Sequence, residues 1–237
     1  MGKNKLARWE ELTTFNNVIQ PLIGDVSGKD HPIKGRWNEE IFKNDNPIIL
    51  ELGCGKGEYT VGLASRFPDN NYIGIDIKGA RMWRGAKTVN ELKLTNVAFL
   101  RTRIEFINSF FSINEVKEIW ITFPDPHTGG RNYNKRLTSP RFLNSYQNIL
   151  IDKGLIHLKT DNEELYEYTK KIVANNFLEI IIATNDLYAE NLPDDILSIR
   201  THYEKIFLEE GLKINYLAFR LEKEKTIKDG SWKTDRE

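Results

Sequence analysis

The sequence predicts a single α/β domain built on a mostly parallel, seven-stranded sheet with helices on both faces. Three observations predict it. Short apolar runs bounded by turn residues alternate with stretches of helical character, which is the pattern of strands joined by crossover helices. A glycine-rich turn follows the first strong run, and the second run ends in an acid about twenty residues further on. A length of 237 residues with 40% hydrophobic and 29% charged residues suits one such domain and is short for two.

The strands are read in order. Pro47 to Gly53 (PIILELG) forms the first, followed by a helix from Gly57 to Phe67. Asn71 to Asp76 is the second, followed by a helix from Gly79 to Leu92. Asn96 to Leu100 is the third, and Glu118 to Phe123 the fourth, whose β-branched and aromatic residues suit burial on both faces. A helix from Ser139 to Leu150 precedes the fifth strand, Gly154 to Thr160. A helix from Asn162 to Asn175 leads to the sixth, Leu178 to Thr184. A last helix around Arg200 to Glu210 precedes the seventh, Lys213 to Phe219. Residues 1–46 are read as a partly basic N-terminal extension and 47–237 as the α/β domain. The polar connection 185–200 is long enough either to cover a site or to be a passive surface loop.

With 34 basic and 34 acidic residues, no overall field draws the chain to nucleic acid, and any such attraction must come from local clusters. The single cysteine, Cys54, forms no internal disulfide and reads as a small buried residue. The four histidines lack the paired spacing of a zinc site, so no metal is expected. The N-terminus has no apolar run of signal-peptide length, and no segment approaches a membrane span. A soluble, cytoplasmic protein is expected, as a monomer or homodimer.

Gly53, Gly55 and Gly57 lie between a strand and a helix, where a turn without β-carbons lets the backbone approach a ligand. A dinucleotide fingerprint would place its third glycine at position 58, where this chain has Glu58. A carboxylate there repels a pyrophosphate, which disfavours NAD. S-adenosylmethionine carries no phosphate, and its ribose, sulfonium and amino groups tolerate or favour acids. Asp76 then suits the ribose hydroxyls, since an ionised carboxylate only accepts. Glu51 suits the amino end of the methionine, directly or through water. The plainer readings are a strand-end acid for Glu51 and a helix cap for Asp76.

Thr122 to Pro126 (TFPDP) must sit at the carboxyl end of the fourth strand, the edge where open α/β sheets bind ligands. Pro124 and Pro126 restrict the backbone on either side of Asp125 and fix its direction. The next loop supplies Arg131, Lys135, Arg136 and Arg141 with Tyr133 among them, a composition that suits phosphates and bases as well as an ordinary surface. Lys78, Arg81, Arg84 and Lys87, with Lys3, Lys5 and Arg8, extend that surface if they share a side.

These residues resemble the bacterial tRNA (guanine-N7-)-methyltransferase family, class I S-adenosylmethionine enzymes of Rossmann-like fold. ELGCGKG, GIDIK, FPDP, NKR, KTDN (Lys159 to Asn162) and THYEKIF (Thr201 to Phe207) occur in the family's order, across roughly Ile48 to Phe219. The resemblance implies methyl transfer to N7 of a guanine in the tRNA variable loop. It implies Glu51 and Asp76 as cofactor contacts and Asp125 as the catalytic residue. It also implies Asp161, Thr201, His202, Tyr203 and Glu204 as substrate contacts. In two places the sequence departs from the family. Arg103 stands where an acid usually meets adenine, with Glu105 the nearest acid, so the partner is one of these or main chain. Gly129 stands near the usual substrate-side lysine, and Arg131 is the candidate replacement.

Guanine N7 has a free lone pair, so attack on a sulfonium methyl needs alignment and electrostatic support rather than deprotonation. Asp125 is therefore expected to position the base or stabilise its developing charge. The rival readings are an amino-group methyltransferase acting on nucleic acid or protein, and a non-catalytic RNA-binding protein of the same fold.

Overall fold

Burial on both faces turns the apolar runs into strands. The computed structural model describes residues 3–189 and 197–230; the side chains of residues 3–5, 130 and 131 lie outside that description. The strands are β1 (Val18–Ile19), β2 (Ile48–Leu52), β3 (Asn71–Asp76), β4 (Val97–Arg101), β5 (Val116–Thr122), β6 (Leu150–Thr160), β7 (Ile180–Thr184) and β8 (Asn215–Leu221). They form one sheet in the order β1-β4-β3-β2-β5-β6-β8-β7. The helices are α1 (Lys3–Leu12), α2 (Glu58–Arg66), α3 (Gly79–Leu92), α4 (Pro140–Ile149), α5 (Glu163–Asn175) and α6 (His202–Glu209).

Six neighbouring strands, β1 to β6, pair in parallel, and β8 runs antiparallel between β6 and β7. The mostly parallel α/β sheet expected from the sequence is thus observed. The order reverses at β2, which has β3 on one side and β5 on the other. Ligand crevices open at such a reversal, beyond the carboxyl ends of the strands.

The side chains alternate along the strands and fill two cores. Leu50, Leu52, Ile73 and Ile75 face one core, and Ile49, Tyr72 and Phe99 face the other. Every residue of β2 is buried, as its unbroken apolar run requires.

The structure adds an eighth strand to the seven read from the sequence. Val18 and Ile19 pair with Phe99 and Leu100 of β4. Two residues carry no readable period, and this pairing forms because the edge of β4 is otherwise open. Residues 1–46, read as an extension, contribute further to both cores. Trp37 is fully buried, donates its Nε1–H to the Phe110 carbonyl at 2.8 Å and stacks on Phe111, while Leu12 and Phe42 are buried too. α1 packs along α3. β6 begins at Leu150 rather than Gly154, with Lys153 at φ 55° inside it.

Close packing fixes the glycine turn against α3. A β-carbon on Gly57 would meet the Phe99 ring at 2.6 Å, and one on Gly85 would meet the Lys56 carbonyl at 2.5 Å. Gly85 is an interior helix position, so Gly85→Ala gains about 1 kcal/mol of helix propensity. Overpacking against a backbone carbonyl that cannot swing aside costs roughly 1–3 kcal/mol. Gly85→Ala is expected to lower stability by up to about 2 kcal/mol in urea unfolding; a more stable variant would contradict the packing described.

Candidate active site

Because β2, β3, β5 and β6 are parallel, their carboxyl ends share one edge, and the sequence motifs that follow them meet there. The turn after β2 holds Gly53 (φ 76°), Gly55 (φ 56°) and Gly57 (φ 70°) in the left-handed region that favours glycine. Asp76, at the end of β3, closes this turn: its Oδ2 accepts from the Gly55 N–H at 2.9 Å and its Oδ1 from the Lys78 N–H at 2.7 Å. Open space stands where a β-carbon on Gly53 would project.

Glu51 is 3% exposed and sits at the strand reversal. Its Oε2 accepts from the Thr60 backbone N–H at 2.8 Å and from the Thr60 hydroxyl, and its Oε1 from the Thr122 hydroxyl at 2.6 Å. One carboxylate therefore joins β2, the first turn of α2 and the end of β5. Burial raises its pKa to about 7, against the pull of those hydrogen bonds. Thr60 and Thr122 were not singled out in the sequence, although Thr122 belongs to TFPDP.

β5 ends where Phe123 adopts φ 48° and donates its N–H to the Lys159 carbonyl at 2.8 Å. The turn that follows carries Asp125 outward, its side chain 74% exposed, with Oδ1 accepting from the His127 N–H at 3.1 Å. Arg136, expected at the substrate surface, is instead fully buried. Its Nε donates to the Pro126 carbonyl at 2.8 Å and its Nη2 to Glu164 at 2.7 Å, between the Tyr133 and Tyr168 rings. Nη1 is buried with no hydrogen-bond partner among the described residues, and the guanidinium, held by a carbonyl, a carboxylate and two aromatic faces, anchors the Asp125 loop rather than meeting solvent. Lys135 is exposed, and Arg131 lies in the same short 3-10 turn with its side chain outside the described residues.

The THYE segment divides. Thr201 caps α6, its hydroxyl accepting from the Glu204 N–H at 3.1 Å while Glu204 accepts from the Thr201 N–H at 3.3 Å. Glu204 is fully buried and pairs with Lys159 Nζ at 2.8 Å, both side chains 0% exposed. Tyr188 donates to the same carboxylate at 2.6 Å, and Lys159 also donates to the carbonyls of Leu197 and Ile199 at 3.3 and 3.4 Å. Burial lowers the Lys159 pKa while Glu204 opposes the shift. In this structure Thr201 and Glu204 latch the chain after residue 196, so the side chains that face outward are His202 and Tyr203. Asp161 is half-buried at the end of β6, with its pKa raised by burial, and α5 is capped by Asn162 rather than by Asp161.

Beyond Asp76, a cavity of about 340 Å³ is lined by Leu22, Ile23, Ile77, Thr102, Arg103 and Phe106, among others. Arg103 thus lines this cavity, and Glu105 is ion-paired to Arg103 at 3.4 Å. Among the described residues no cluster of three or more His, Cys, Asp or Glu is arranged to hold a metal, and no helix is long and apolar enough to cross a membrane.

This fold is shared with nucleic-acid methyltransferases. The 16S rRNA methyltransferase KamB superposes with a TM-score of 0.60 at 13% identity, covering 78% of this chain and 92% of that one. The 16S rRNA (adenine(1408)-N(1))-methyltransferase of Catenulisporales acidiphilia gives 0.56 at 11% identity, covering 83% and 97%. Residues 45–217 match a family described as "Putative methyltransferase". The fold is therefore that of a class I methyltransferase. Closer sequence relatives narrow the class. The tRNA (guanine-N(7)-)-methyltransferase of Christiangramia forsetii is 51% identical over 93% of this chain and 99% of its own length. That of Porphyromonas gingivalis is 55% identical over 89% and 86%, and that of Bacteroides fragilis 48% over 97% and 90%. The chain belongs to the tRNA (guanine-N7-)-methyltransferase family.

Two outcomes test the buried polar groups. The folded protein holds a proton on Glu51 up to about pH 7, whereas the unfolded chain releases it near 4.5. Between those values the native state binds more protons, so this group's contribution to stability falls as pH rises from 4.5 to about 7 and is flat above. Urea unfolding at pH 5 and pH 8 should show a shallower pH slope for Glu51→Gln; equal slopes would count against the assignment. Lys159→Met leaves the Glu204 carboxylate buried without its cation and should cost roughly 3–5 kcal/mol. The double change Lys159→Met with Glu204→Leu should cost less than the single one in the same assay.

Proposed function

We propose that this chain transfers the methyl group of S-adenosylmethionine to N7 of a guanine in the variable loop of tRNA. The observation that carries this is the juxtaposition of two differently treated acids on one sheet edge. Glu51 is buried and braces the glycine turn against β5, whereas Asp125 is held outward between two prolines. The names and close similarity of the relatives support the choice of guanine N7 and tRNA.

The residues fit the methyl donor by their chemistry. Asp76, held at the turn by the Gly55 N–H, keeps lone pairs for ribose hydroxyls, and Glu51 offers negative charge to an ammonium. Gly53 leaves space for close approach, and the cavity lined by Ile77 and Arg103 suits a flat heterocycle. The cofactor supplies an electrophilic methyl on a positive sulfur. Asp125 is the catalytic residue of this reading: it accepts hydrogen bonds from the guanine N1 and N2 edge, holding N7 in line, and it stabilises the purine as it becomes cationic. Asp161, Lys135, Arg131, His202 and Tyr203 are the proposed substrate contacts, while Thr201, Glu204 and Arg136 act by holding the loops that carry them.

Unmodified tRNA incubated with labelled S-adenosylmethionine should acquire a label at a variable-loop guanine, and that site should become sensitive to borohydride and aniline cleavage. Asp125→Asn should lower kcat by roughly 100-fold with cofactor affinity retained. Label on an exocyclic amine, or wild-type turnover by Asp125→Asn, would overturn the reading.

A further inference from the structure

The sequence left open whether the basic residues of the N-terminus and of α3 share a side. They do. A groove of about 320 Å³ between α1, the glycine turn and α3 is lined by Arg8, Lys56, Glu58, Arg81, Trp83 and Arg84. Trp83 is its floor. The Arg8 guanidinium lies 4.8 Å from that ring, with Lys87 at 5.2 Å and Arg84 at 5.7 Å.

Not all of this charge is free. Arg84 is paired with Glu91 at 2.5 Å, and Lys87 with Glu11 at 2.8 Å, while the Trp83 indole donates to Glu11 at 2.8 Å. These contacts orient the ring and hold α1 on α3. Arg8, Lys56 and Arg81 make no ion pair among the described residues, and Arg8 and Arg81 are exposed. The groove's one acid, Glu58, accepts from the His202 backbone N–H at 2.7 Å, so it is engaged at the start of α6. The groove thus begins at the turn beside Asp76 and ends against the segment that presents His202 and Tyr203.

We propose that this groove binds a stretch of the tRNA sugar-phosphate backbone, with Arg8, Lys56 and Arg81 pairing with phosphates and Trp83 supporting the Arg8 guanidinium. In a chain with no net charge, three unpaired cations lining one concave surface next to the donor turn form a local anion site. Phosphate contacts position a nucleic acid without reading its bases, which suits a groove set to one side of Asp125. The proposal rests on the tRNA reading above.

The test uses the full chain and unmodified tRNA. Each lost phosphate contact should reduce the slope of log K against log salt by about 0.7–0.9. Arg8→Gln with Arg81→Gln should therefore reduce that slope by roughly 1.4–1.8 and raise KM for tRNA roughly tenfold. Its kcat at saturating tRNA and its affinity for S-adenosylmethionine should stay within twofold of wild type. Arg81→Gln alone, at an exposed side chain, should give about half the slope change, and Arg8→Lys with Arg81→Lys should recover most of it. An unchanged slope and KM in Arg81→Gln and in the double variant would overturn the groove while leaving the tRNA reading intact. Failure of the wild-type protein to methylate tRNA would instead overturn that reading.

Discussion

One buried carboxylate sets the geometry of the working edge. Glu51 lies at the point where the strand order reverses, and its two oxygens are shared among Thr60 of α2 and Thr122 of β5. The glycine turn and the Asp125 loop leave the sheet from the neighbouring strands β2 and β5. Through Glu51, the glycine turn and the Asp125 loop are tied by a single side chain, at the desolvation cost that pushes the Glu51 pKa upward.

Two buried cations extend the same logic outward. Lys159 and Glu204 form a fully desolvated pair, and such pairs contribute less to stability than to the choice of one arrangement. Here the arrangement chosen is the path of residues 197–204, since Lys159 also reaches the carbonyls of Leu197 and Ile199. Arg136 does the equivalent for the Asp125 loop through the Pro126 carbonyl and Glu164. The loops around the site are polar, and polar loops have little apolar surface with which to hold a shape. Buried charges with directional partners supply what packing cannot.

The N-terminal residues show the complementary case. Trp37, Phe42 and Leu12 fill cores that the later strands leave incomplete, and α1 carries Arg8 to the ring of Trp83 on α3. A segment of weak strand signal is therefore part of the fold by packing rather than by pattern. The same segment brings Arg8 to one side of the glycine turn.

The sequence by itself determined most of the sheet, its helices and which motifs stand at the carboxyl edge. Seven strands follow from apolar period and burial on both faces, and the glycines, Asp76 and Asp125 follow from their places at strand ends, because a parallel sheet must deliver all its carboxyl ends to one side. What only the tertiary structure decided is which polar side chains face inward. Arg136, Thr201 and Glu204 have the residue types of substrate contacts, yet their partners, Pro126, Glu164 and Lys159, lie on other elements that no local spacing reveals. The two-residue strand β1 and the meeting of Arg8 with α3 were invisible for the same reason. Each depends on a contact between distant segments, and a one-dimensional period reports only what a residue's own element does with it.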